Sequence, residues 1–341
     1  MYKNVILKRK QKILLNYIVG PVAFVFLSIS IYKQITQQPN LPHAWKAIEH
    51  SLTGFESWRF YAVLLLMFVN WGIEAKKWQL LVTGIQQVSF LRAFRAIFTG
   101  QAIALNTLNG VGEYVGRVVY LEDGNRLRGV ALSIVGSLSQ IIVTMVLGIV
   151  GLIYIRFDVL SATKHLEGLS IFWLNGLMYA LSGCTVIFIL IYFKLSWLTK
   201  LVEKIPFVAK YTFYIQKLED FHWKELTRIL VLSFLRYVVF VIQYLLLLQL
   251  FKVDAQWWQL ASMVCVLFLV LAVVPTIPIA ELGLRGKASQ LLFGLLSNNT
   301  LGILFTAAII WLINRVIPAI AGSLFILGIR IFKKQNETEM E

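Results

Sequence analysis

The stretch Asn106-Thr-Leu-Asn-Gly-Val-Gly-Glu-Tyr-Val-Gly-Arg117 breaks an apolar run with amides, glycines and two opposite charges. The apolar run that leads into this stretch, Phe90–Asn109, is about as long as one membrane span. It nevertheless has Arg92 and Arg95 near its beginning and ends in polar residues. Glycine removes side-chain bulk and permits a tight turn. We therefore predict that the chain enters a membrane here, turns, and returns to the same side as a re-entrant hairpin.

The composition of the whole chain supports a membrane location. Of 341 residues, 58% are hydrophobic and 14% are charged, and the mean hydropathy is +0.74. An average soluble domain has about 45–50% apolar and about 25% charged residues. Because a spanning backbone must satisfy its own hydrogen bonds, the composition predicts an all-α integral membrane protein.

Further apolar segments are long enough to cross a hydrocarbon core of about 30 Å. Five of them are uninterrupted: Leu14–Tyr32, Trp58–Ala75, Val130–Ile155, Ile171–Phe193 and Arg228–Phe251. A sixth, Thr300–Arg330, carries Asn314, Arg315 and Pro318 near its middle and is either one kinked helix or two shorter pieces. The run Gln259–Val274 ends in Pro-Thr-Ile-Pro and is predicted to form a second re-entrant hairpin.

The distribution of basic residues predicts the topology. The net charge of +15 lies in short clusters beside apolar runs, such as Lys76 and Lys77, which are typical of cytoplasmic loops, so we expect no nucleic-acid partner. Basic loops stay cytoplasmic, and a crossing at Phe90–Asn109 would put the basic loop Lys194–Arg228 outside. With two hairpins entering from opposite sides, this loop and both termini are cytoplasmic. The expected location is the cell (inner) membrane, with several passes.

This topology predicts an inverted repeat of about six full transmembrane helices plus two re-entrant hairpins. Residues 1–170 would form the first membrane repeat and residues 171–341 the second, each with the order span, span, hairpin, span. Interrupted helices in inverted repeats recur among transporters. A connector at about 194–228 alternates aromatic and aliphatic residues with lysines, which suits cytoplasmic amphipathic helices or an ordinary solvated connector.

Each hairpin carries a glutamate four residues before an arginine. Glu113 precedes Arg117, and Glu281 precedes Arg285, so each pair shares one helix face. Ionisable groups at membrane depth are costly and therefore pair or line a cavity, which makes these residues candidate substrate-binding groups. The alternative is that each pair only ties its hairpin to neighbouring helices. The glycines and prolines expected to shape the turns are Gly110, Gly112, Gly116, Pro275, Pro278 and Gly283.

Other polar residues inside apolar runs are candidates of second rank. Arg236 and Arg315 are the best of these for contacting a phosphate or for pairing with a hairpin glutamate. Arg236 lies about two helical turns from Arg228, so extending to the cytoplasmic interface is its alternative role. For the rest, interhelical hydrogen bonds are expected. They include Asn70, Glu74, Gln101, Gln140, Gln243 and Asn314.

These motifs resemble those of a known family. Gly112-Glu113 with Arg117, and Pro275, Pro278 and Leu282-Gly283-Leu284-Arg285, resemble two signatures of the lysylphosphatidylglycerol synthase transmembrane-region family. That family of bacterial and archaeal membrane proteins includes the lipid-flipping half of the multiple-peptide-resistance factors. The resemblance covers nearly the whole chain and implies the flippase-like part alone, since no soluble aminoacyl-transferase domain follows Arg330.

The second motif departs from the family pattern in two places. Ile279-Ala280-Glu281 stands where the family usually has glycines, and Gly286 stands where it often has glutamate. Glu281 either replaces that carboxylate from one turn earlier or leaves the substrate or activity different from that of better-known members. The resemblance therefore implies lipid movement without naming the lipid.

The sequence favours a membrane translocator, flippase-like, of a phospholipid or lipid-linked anionic substrate. A membrane-embedded lipid-modifying transferase is one alternative, and an accessory or scaffold protein of envelope assembly is another. We expect no enzyme activity, cofactor or metal, because the four histidines lack metal-binding spacing and no nucleophile–base set is evident. Membrane lipids or the lipid-linked substrate are the expected partners, and self-association into a homo-oligomer is left open.

Overall fold

The computed structural model describes residues 54–105, 107, 110–160, 171–194, 221–274 and 278–327, together with Ile29; for residues 278–280 only the backbone is described. Within these ranges every regular element is a helix, which confirms the all-α prediction. The predicted span Leu14–Tyr32 apart from Ile29, Pro275 and most of the connector at 194–228 lie outside the described residues.

Ten α-helices build the described part of the protein. A 3₁₀ turn, Asp123–Asn125, precedes the fourth helix, and a π turn, Ile155–Val159, extends it. The helices are α1 (Ser57–Val82), α2 (Phe90–Ala104), α3 (Gly112–Val118), α4 (Arg126–Tyr154), α5 (Ile171–Phe193), α6 (Trp223–Leu250), α7 (Trp257–Val273), α8 (Pro278–Phe293), α9 (Thr300–Trp311) and α10 (Ile317–Leu327).

Among the described residues, four helical stretches are long and apolar enough to cross a membrane. They are Asp123–Val159, Ile171–Phe193, Trp223–Leu250 and Thr300–Ile326. Helix α1 has 26 residues but carries charged side chains in its second half, so it is not among the four. Helix α6 begins at Trp223 and not at Arg228, so it takes over the last part of the predicted connector. The total of six spans stays a prediction.

The overlong segment near the carboxyl terminus is one helix with an interruption. Helices α9 and α10 are joined without a break by the π turn Leu312–Val316. Pro318 is the second residue after this turn and has no amide to donate to the preceding turn. The helix leaves α geometry just before the proline, as is common where a residue cannot continue the regular hydrogen bonds.

Helices α1 and α6 run antiparallel through the centre of the bundle. The Lys77 ammonium lies 3.3 Å from the Ser233 hydroxyl, near the end of α1 and the beginning of α6. At the other end, the Gln243 side-chain amide donates to the Val63 carbonyl at 2.9 Å. The carboxyl end of α1 and the amino end of α6 therefore lie at the same end of the molecule, which we call the first end.

Hairpin 1, residues 90–118, is formed by α2 and α3. The turn passes through Gly110, whose φ of +68° lies in the left-handed region that favours glycine. Helix α3 then packs back along α2, and a Cβ atom at Gly116 would lie only 2.5 Å from the Gly100 Cα. Helix α2 has 15 residues, or about 22 Å, which is shorter than a hydrocarbon core of about 30 Å.

The base of hairpin 1 lies at the first end of the molecule. The Gln79 side chain, near the end of α1, donates to the Val88 carbonyl at 2.8 Å. After the hairpin, Asn125 donates to the Ile85 carbonyl at 3.2 Å. The chain segment that enters the hairpin and the one that leaves it are therefore both hydrogen-bonded near the end of α1.

Hairpin 2, residues 257–293, is formed by α7 and α8 and has its base at the opposite end. The Asn299 side chain, just beyond α8, donates to the Phe251 carbonyl at the end of α6 at 2.9 Å. Helix α7 packs tightly against the second half of α4, where a Cβ at Gly151 would lie 2.7 Å from the Ser262 carbonyl oxygen. The two hairpins thus extend into the bundle from opposite ends.

Helix α5 lies on the outside of the bundle. Of its 23 residues, only Leu174, Thr185 and Tyr192 are buried. The Tyr192 hydroxyl donates to the Leu226 carbonyl at 2.8 Å and so places the end of α5 at the first end of the molecule. A helix that is apolar on all sides and exposed on most of them suits contact with lipid.

Candidate functional site

The tips of the two hairpins meet at a cavity of about 600 Å³ inside the bundle. Residues of α1, α2, α3, α4, α6, α7, α8 and the segment Ile310–Arg315 line it. It has the size of a small-molecule pocket. Five of the six predicted site side chains are among the lining residues: Glu113, Arg236, Glu281, Arg285 and Arg315.

Arg117, the sixth predicted side chain, is buried behind the cavity wall. It forms an ion pair with Glu113, as the spacing predicts. The same guanidinium nitrogen lies 2.7 Å from a carboxylate oxygen of Glu74 on α1. Only 4% of the Arg117 side chain is exposed, so this residue ties hairpin 1 to α1.

The amino end of α3 is already occupied by groups of the protein. The Gly112 amide donates to the Thr107 hydroxyl at 2.8 Å, and Glu113 lies in the first turn. Helix α3 has only seven residues. Gly112 is present because its α-carbon packs against the backbone of Ile103, where a Cβ would lie 2.7 Å from the carbonyl oxygen.

Glu74 is the centre of a buried charge cluster that sequence reasoning missed. Its second carboxylate oxygen lies 2.8 Å from the Lys77 ammonium and 3.2 Å from the Arg236 guanidinium. Together with Arg117, three cations surround this carboxylate, which is 2% exposed. Lys77 was expected among the basic loop residues, and that expectation is wrong because its side chain is 1% exposed. The i,i+3 spacing of Glu74 and Lys77 inside an apolar run is the signal for this pair.

Arg236 lies inside the bundle and not at the interface. Its Nε donates to the Asn70 side chain at 2.8 Å, and one terminal nitrogen donates to Gln140 at 3.4 Å. Its guanidinium also lies 5.0 Å from the ring centre of Trp71, within the range of a cation–π contact. The expectation that it pairs with a hairpin glutamate is wrong, because its carboxylate partner is Glu74.

In the second motif, Glu281 and Arg285 pair as predicted, and Arg285 has a further partner on another helix. Arg285 donates to Glu281 at 2.7 Å and, through its other terminal nitrogen, to the Tyr244 hydroxyl at 2.9 Å. Tyr244, on α6, was not predicted, because an aromatic residue in an apolar span carries no signal of its own. Each hairpin arginine thus reaches the long helix that precedes its hairpin: Arg117 reaches α1, and Arg285 reaches α6.

Arg315 lies between the two hairpins. One terminal nitrogen donates to the Gln101 side chain on α2 at 3.2 Å. The other lies 3.6 Å from a carboxylate oxygen of Glu281 on α8. The prediction that Arg315 pairs with a hairpin glutamate is confirmed.

The two remaining predicted turn residues of hairpin 2 differ in their surroundings. Pro278 is the first residue of α8, where its missing amide costs no helical hydrogen bond. Gly283 is exposed, and a Cβ built on it would meet no heavy atom within 4 Å. The glycine at this position is therefore not required by a close contact.

The cavity is amphipathic. Its ionised lining groups are three arginines and two glutamates, so the wall carries an excess of positive charge. Helices α6 and α7 also supply aromatic and aliphatic side chains to the wall, among them Phe240, Phe268 and Leu271. Such a wall suits a ligand with an anionic and an apolar part.

Apolar residues at one side of the cavity also face the outside of the protein. Ile141 on α4 is 39% exposed, and Val273 and Val274 at the end of α7 are 57% and 39% exposed. These residues lie far from the ends of the bundle, since Ile141 is 15 positions into α4 and the α7 residues are at the hairpin tip. We call these three residues the lateral rim.

Comparison with known proteins identifies the family of the chain. Among curated proteins, no sequence matches the chain. The family described as Lysylphosphatidylglycerol synthase TM region matches residues 35–322, which is most of the chain and includes both hairpins. The resemblance carried by the two motifs is confirmed: the chain belongs to the lysylphosphatidylglycerol synthase TM region family and is a membrane protein of a family related to lipid handling.

Proposed function

We propose that this protein is a flippase-like translocator, which moves a phospholipid or lipid-linked anionic substrate between the leaflets. The observation that carries the proposal is a single cavity with an excess of positive charge, an apolar wall and an exposed apolar rim. The anionic headgroup would contact the arginines. The acyl chains would leave through the lateral rim into the bilayer, so they need not cross a polar surface.

The membership of a lipid-related family supports this reading. So does the arrangement of the hairpins, because helices that enter from opposite ends and meet at a central site are a recurrent transporter design. We propose that both hairpins are re-entrant and that each gives the cavity access to one leaflet.

The distribution of charges supports an orientation with the first end in the cytoplasm. In the described residues, side chains at the first end that are not buried are mostly basic, whereas the opposite end has equal numbers of both signs, as the positive-inside rule predicts. The basic residues at the first end are Lys76, Arg92, Arg95, Arg126, Arg128, Lys194, Lys224 and Arg228, and the acidic ones are Glu122, Asp123 and Glu225. The basic residues at the opposite end are Arg59, Arg156 and Lys252, and the acidic ones are Glu56, Asp158 and Asp254.

Lipid flipping in liposomes tests the proposal. The full chain is reconstituted in phosphatidylcholine with a trace of fluorescent phosphatidylglycerol, and dithionite quenching measures how fast label leaves the inner leaflet. The double variant R285A/R315A removes two cavity cations. We expect its flipping rate to fall at least about tenfold, since each arginine would contribute a charge-assisted bond to the headgroup.

A matched control is K287Q, which removes an exposed cation of the same helix outside the cavity lining. Its flipping rate should equal that of the wild type. Size-exclusion chromatography and thermal unfolding check that all variants are folded. A wild-type rate no faster than in protein-free liposomes, or a folded double variant with the wild-type rate, contradicts the proposal.

A further inference from the structure

Among the arginines around the cavity, Arg315 has the most exposed side chain and the longest ion pair. Its side chain is 39% exposed, whereas those of Arg117, Arg236 and Arg285 are 4%, 12% and 11% exposed. A guanidinium has five N–H donors. In the described residues Arg315 makes one side-chain hydrogen bond, to Gln101, and its 3.6 Å contact with Glu281 exceeds hydrogen-bond length.

The position of Arg315 links the two hairpins. It projects from the π turn Leu312–Val316 and contacts α2 of hairpin 1 through Gln101 and α8 of hairpin 2 through Glu281. Single π turns inside α-helices occur often at functional sites. The long ion pair between Arg315 and Glu281 thus connects hairpin 2 to the π turn that joins α9 and α10.

Glu281 has the position that an anionic ligand would take. One carboxylate oxygen accepts from Arg285 at 2.7 Å, and the other faces Arg315 at 3.6 Å. A phosphate offers two oxygens that match the guanidinium fork, and such bidentate bonds are stronger than a long ion pair. A phosphate can therefore displace the second oxygen while Glu281 keeps its bond to Arg285.

Helix α8 of hairpin 2 has room to move on one side once that contact is lost. A Cβ at Gly283 would meet no heavy atom within 4 Å, and one at Gly286 would meet only Leu304, at 3.5 Å. Lys287 and Leu291, on the same exposed side of α8 as Gly283, are exposed as well. The helix is thus held on one side only.

From this geometry we infer that Arg315 binds the phosphate of the substrate and that its ion pair with Glu281 is a latch, which phosphate binding opens to release α8 of hairpin 2. The inference rests on the proposed function in assuming that the cavity admits a phospholipid. It adds a role for each residue: Arg315 recognises the phosphate, and Glu281 competes with the phosphate in the empty protein.

Binding, and not flipping, tests the latch. The full chain in dodecyl maltoside, which contains no phosphate, is titrated with phosphatidylglycerol bearing brominated acyl chains. Quenching of tryptophan fluorescence reports binding, because Trp71 and Trp311 line the cavity. Brominated diacylglycerol, which lacks the phosphate, is the ligand control.

The two substitutions should have opposite effects on phosphatidylglycerol affinity. R315Q should weaken it about tenfold or more, since a charge-assisted bidentate contact is lost. E281Q should tighten it several-fold, because the competing charge is removed. R315K should be intermediate, because lysine keeps the charge without the fork. Diacylglycerol affinity should be the same in every variant.

Hydrogen exchange measures the release of hairpin 2. Phosphatidylglycerol should speed the exchange of α8 amides in the wild type, and E281Q should show fast exchange without lipid. Neither should change exchange in α2. An unchanged α8 on lipid binding overturns the latch.

The inference is also overturned if E281Q weakens phosphatidylglycerol binding as R315Q does, or if diacylglycerol binding falls in parallel, because both results mean a structural role. Displacement of the lipid by inorganic phosphate assigns the site to free phosphate and overturns lipid recognition. If the two variants change phosphatidylglycerol affinity in opposite directions but the protein does not flip lipid, the latch stands and the translocator proposal is contradicted. If neither variant changes affinity and flipping is normal, the latch is overturned and the translocator proposal stands.

Discussion

The two hairpins carry the same Glu-x-x-x-Arg pair and hold it with different strength. In hairpin 1, Arg117 is bound to Glu113 and also to Glu74, a carboxylate shared with two more cations. In hairpin 2, Arg285 is bound to Glu281 and to the neutral hydroxyl of Tyr244. Arg117 of the first pair belongs to a buried network, whereas the second pair is held by the neutral Tyr244 hydroxyl and by the 3.6 Å contact of Glu281 with Arg315.

The contacts of the glycines follow the same division. In hairpin 1 the two helices touch backbone to backbone at Gly100 and Gly116. In hairpin 2, Gly283 touches nothing on its open side. The difference teaches that equal motifs at equal positions need not have equal roles: the two helices of hairpin 1 are in direct backbone contact, whereas α8 of hairpin 2 is open along one side.

The largest expected effect concerns Glu74. E74A leaves Lys77, Arg117 and Arg236 without their shared carboxylate, and an uncompensated buried charge costs about 3–5 kcal/mol. We expect a correspondingly lower thermal unfolding temperature of the detergent-solubilised protein.

E281A in hairpin 2 is the matched comparison for E74A. It should cost only about 1–2 kcal/mol, because Arg285 keeps Tyr244 and Arg315 faces an open cavity. Equal losses of stability in E74A and E281A would break the distinction between a fixed and a loosely held hairpin.

An intermediate effect is expected at the glycines. G116A forces a methyl group against the Gly100 backbone and should destabilise the protein by about 1–3 kcal/mol, as overpacking does. G283A should be neutral or stabilising by up to about 1 kcal/mol, because alanine favours the helix and meets no neighbour. Denaturation midpoints of the two variants measure the difference, and a reversed order would refute the assignment.

The smallest effect is expected at Tyr244. Y244F removes the hydroxyl that accepts from Arg285 and should cost about 1 kcal/mol. Hydrogen exchange should become faster in α8 and remain unchanged in α2 and α3. A change confined to hairpin 1, or spread over both hairpins, would show that Tyr244 acts on the whole bundle and not on hairpin 2.

Much of the fold could be predicted from the sequence because lipid imposes a simple rule on each segment. Length and hydropathy predicted the helices at Val130–Ile155 and Ile171–Phe193 within a few residues of α4 and α5. The glycine-rich interruption at Gly110 predicted the reversal of hairpin 1. Whether Thr300–Arg330 was one helix or two could not be predicted, since a proline is compatible with both.

The candidate site was predictable only in part. The four hairpin charges could be paired by their spacing, because residues four apart share a helix face. Arg236 could not be assigned, because its partners Asn70, Glu74 and Gln140 belong to two other helices. Lys77 looked like a loop lysine because it stands beside Lys76 after an apolar run, but both lie in α1, and one residue of helical rotation separates the exposed Lys76 side chain from the buried Lys77 side chain.

By itself, the sequence determined that the chain is a helical membrane protein with two interrupted segments, each carrying a glutamate and an arginine one turn apart. These properties are local, since hydropathy, helical spacing and turn-forming residues act over fewer than about 30 positions. Only the tertiary structure decided that both segments meet at one cavity, that Glu74 pairs with three cations, and that Arg315 joins the hairpins. Those contacts join residues of different helices, and their partners are fixed by how the helices pack and not by the pattern within any one of them.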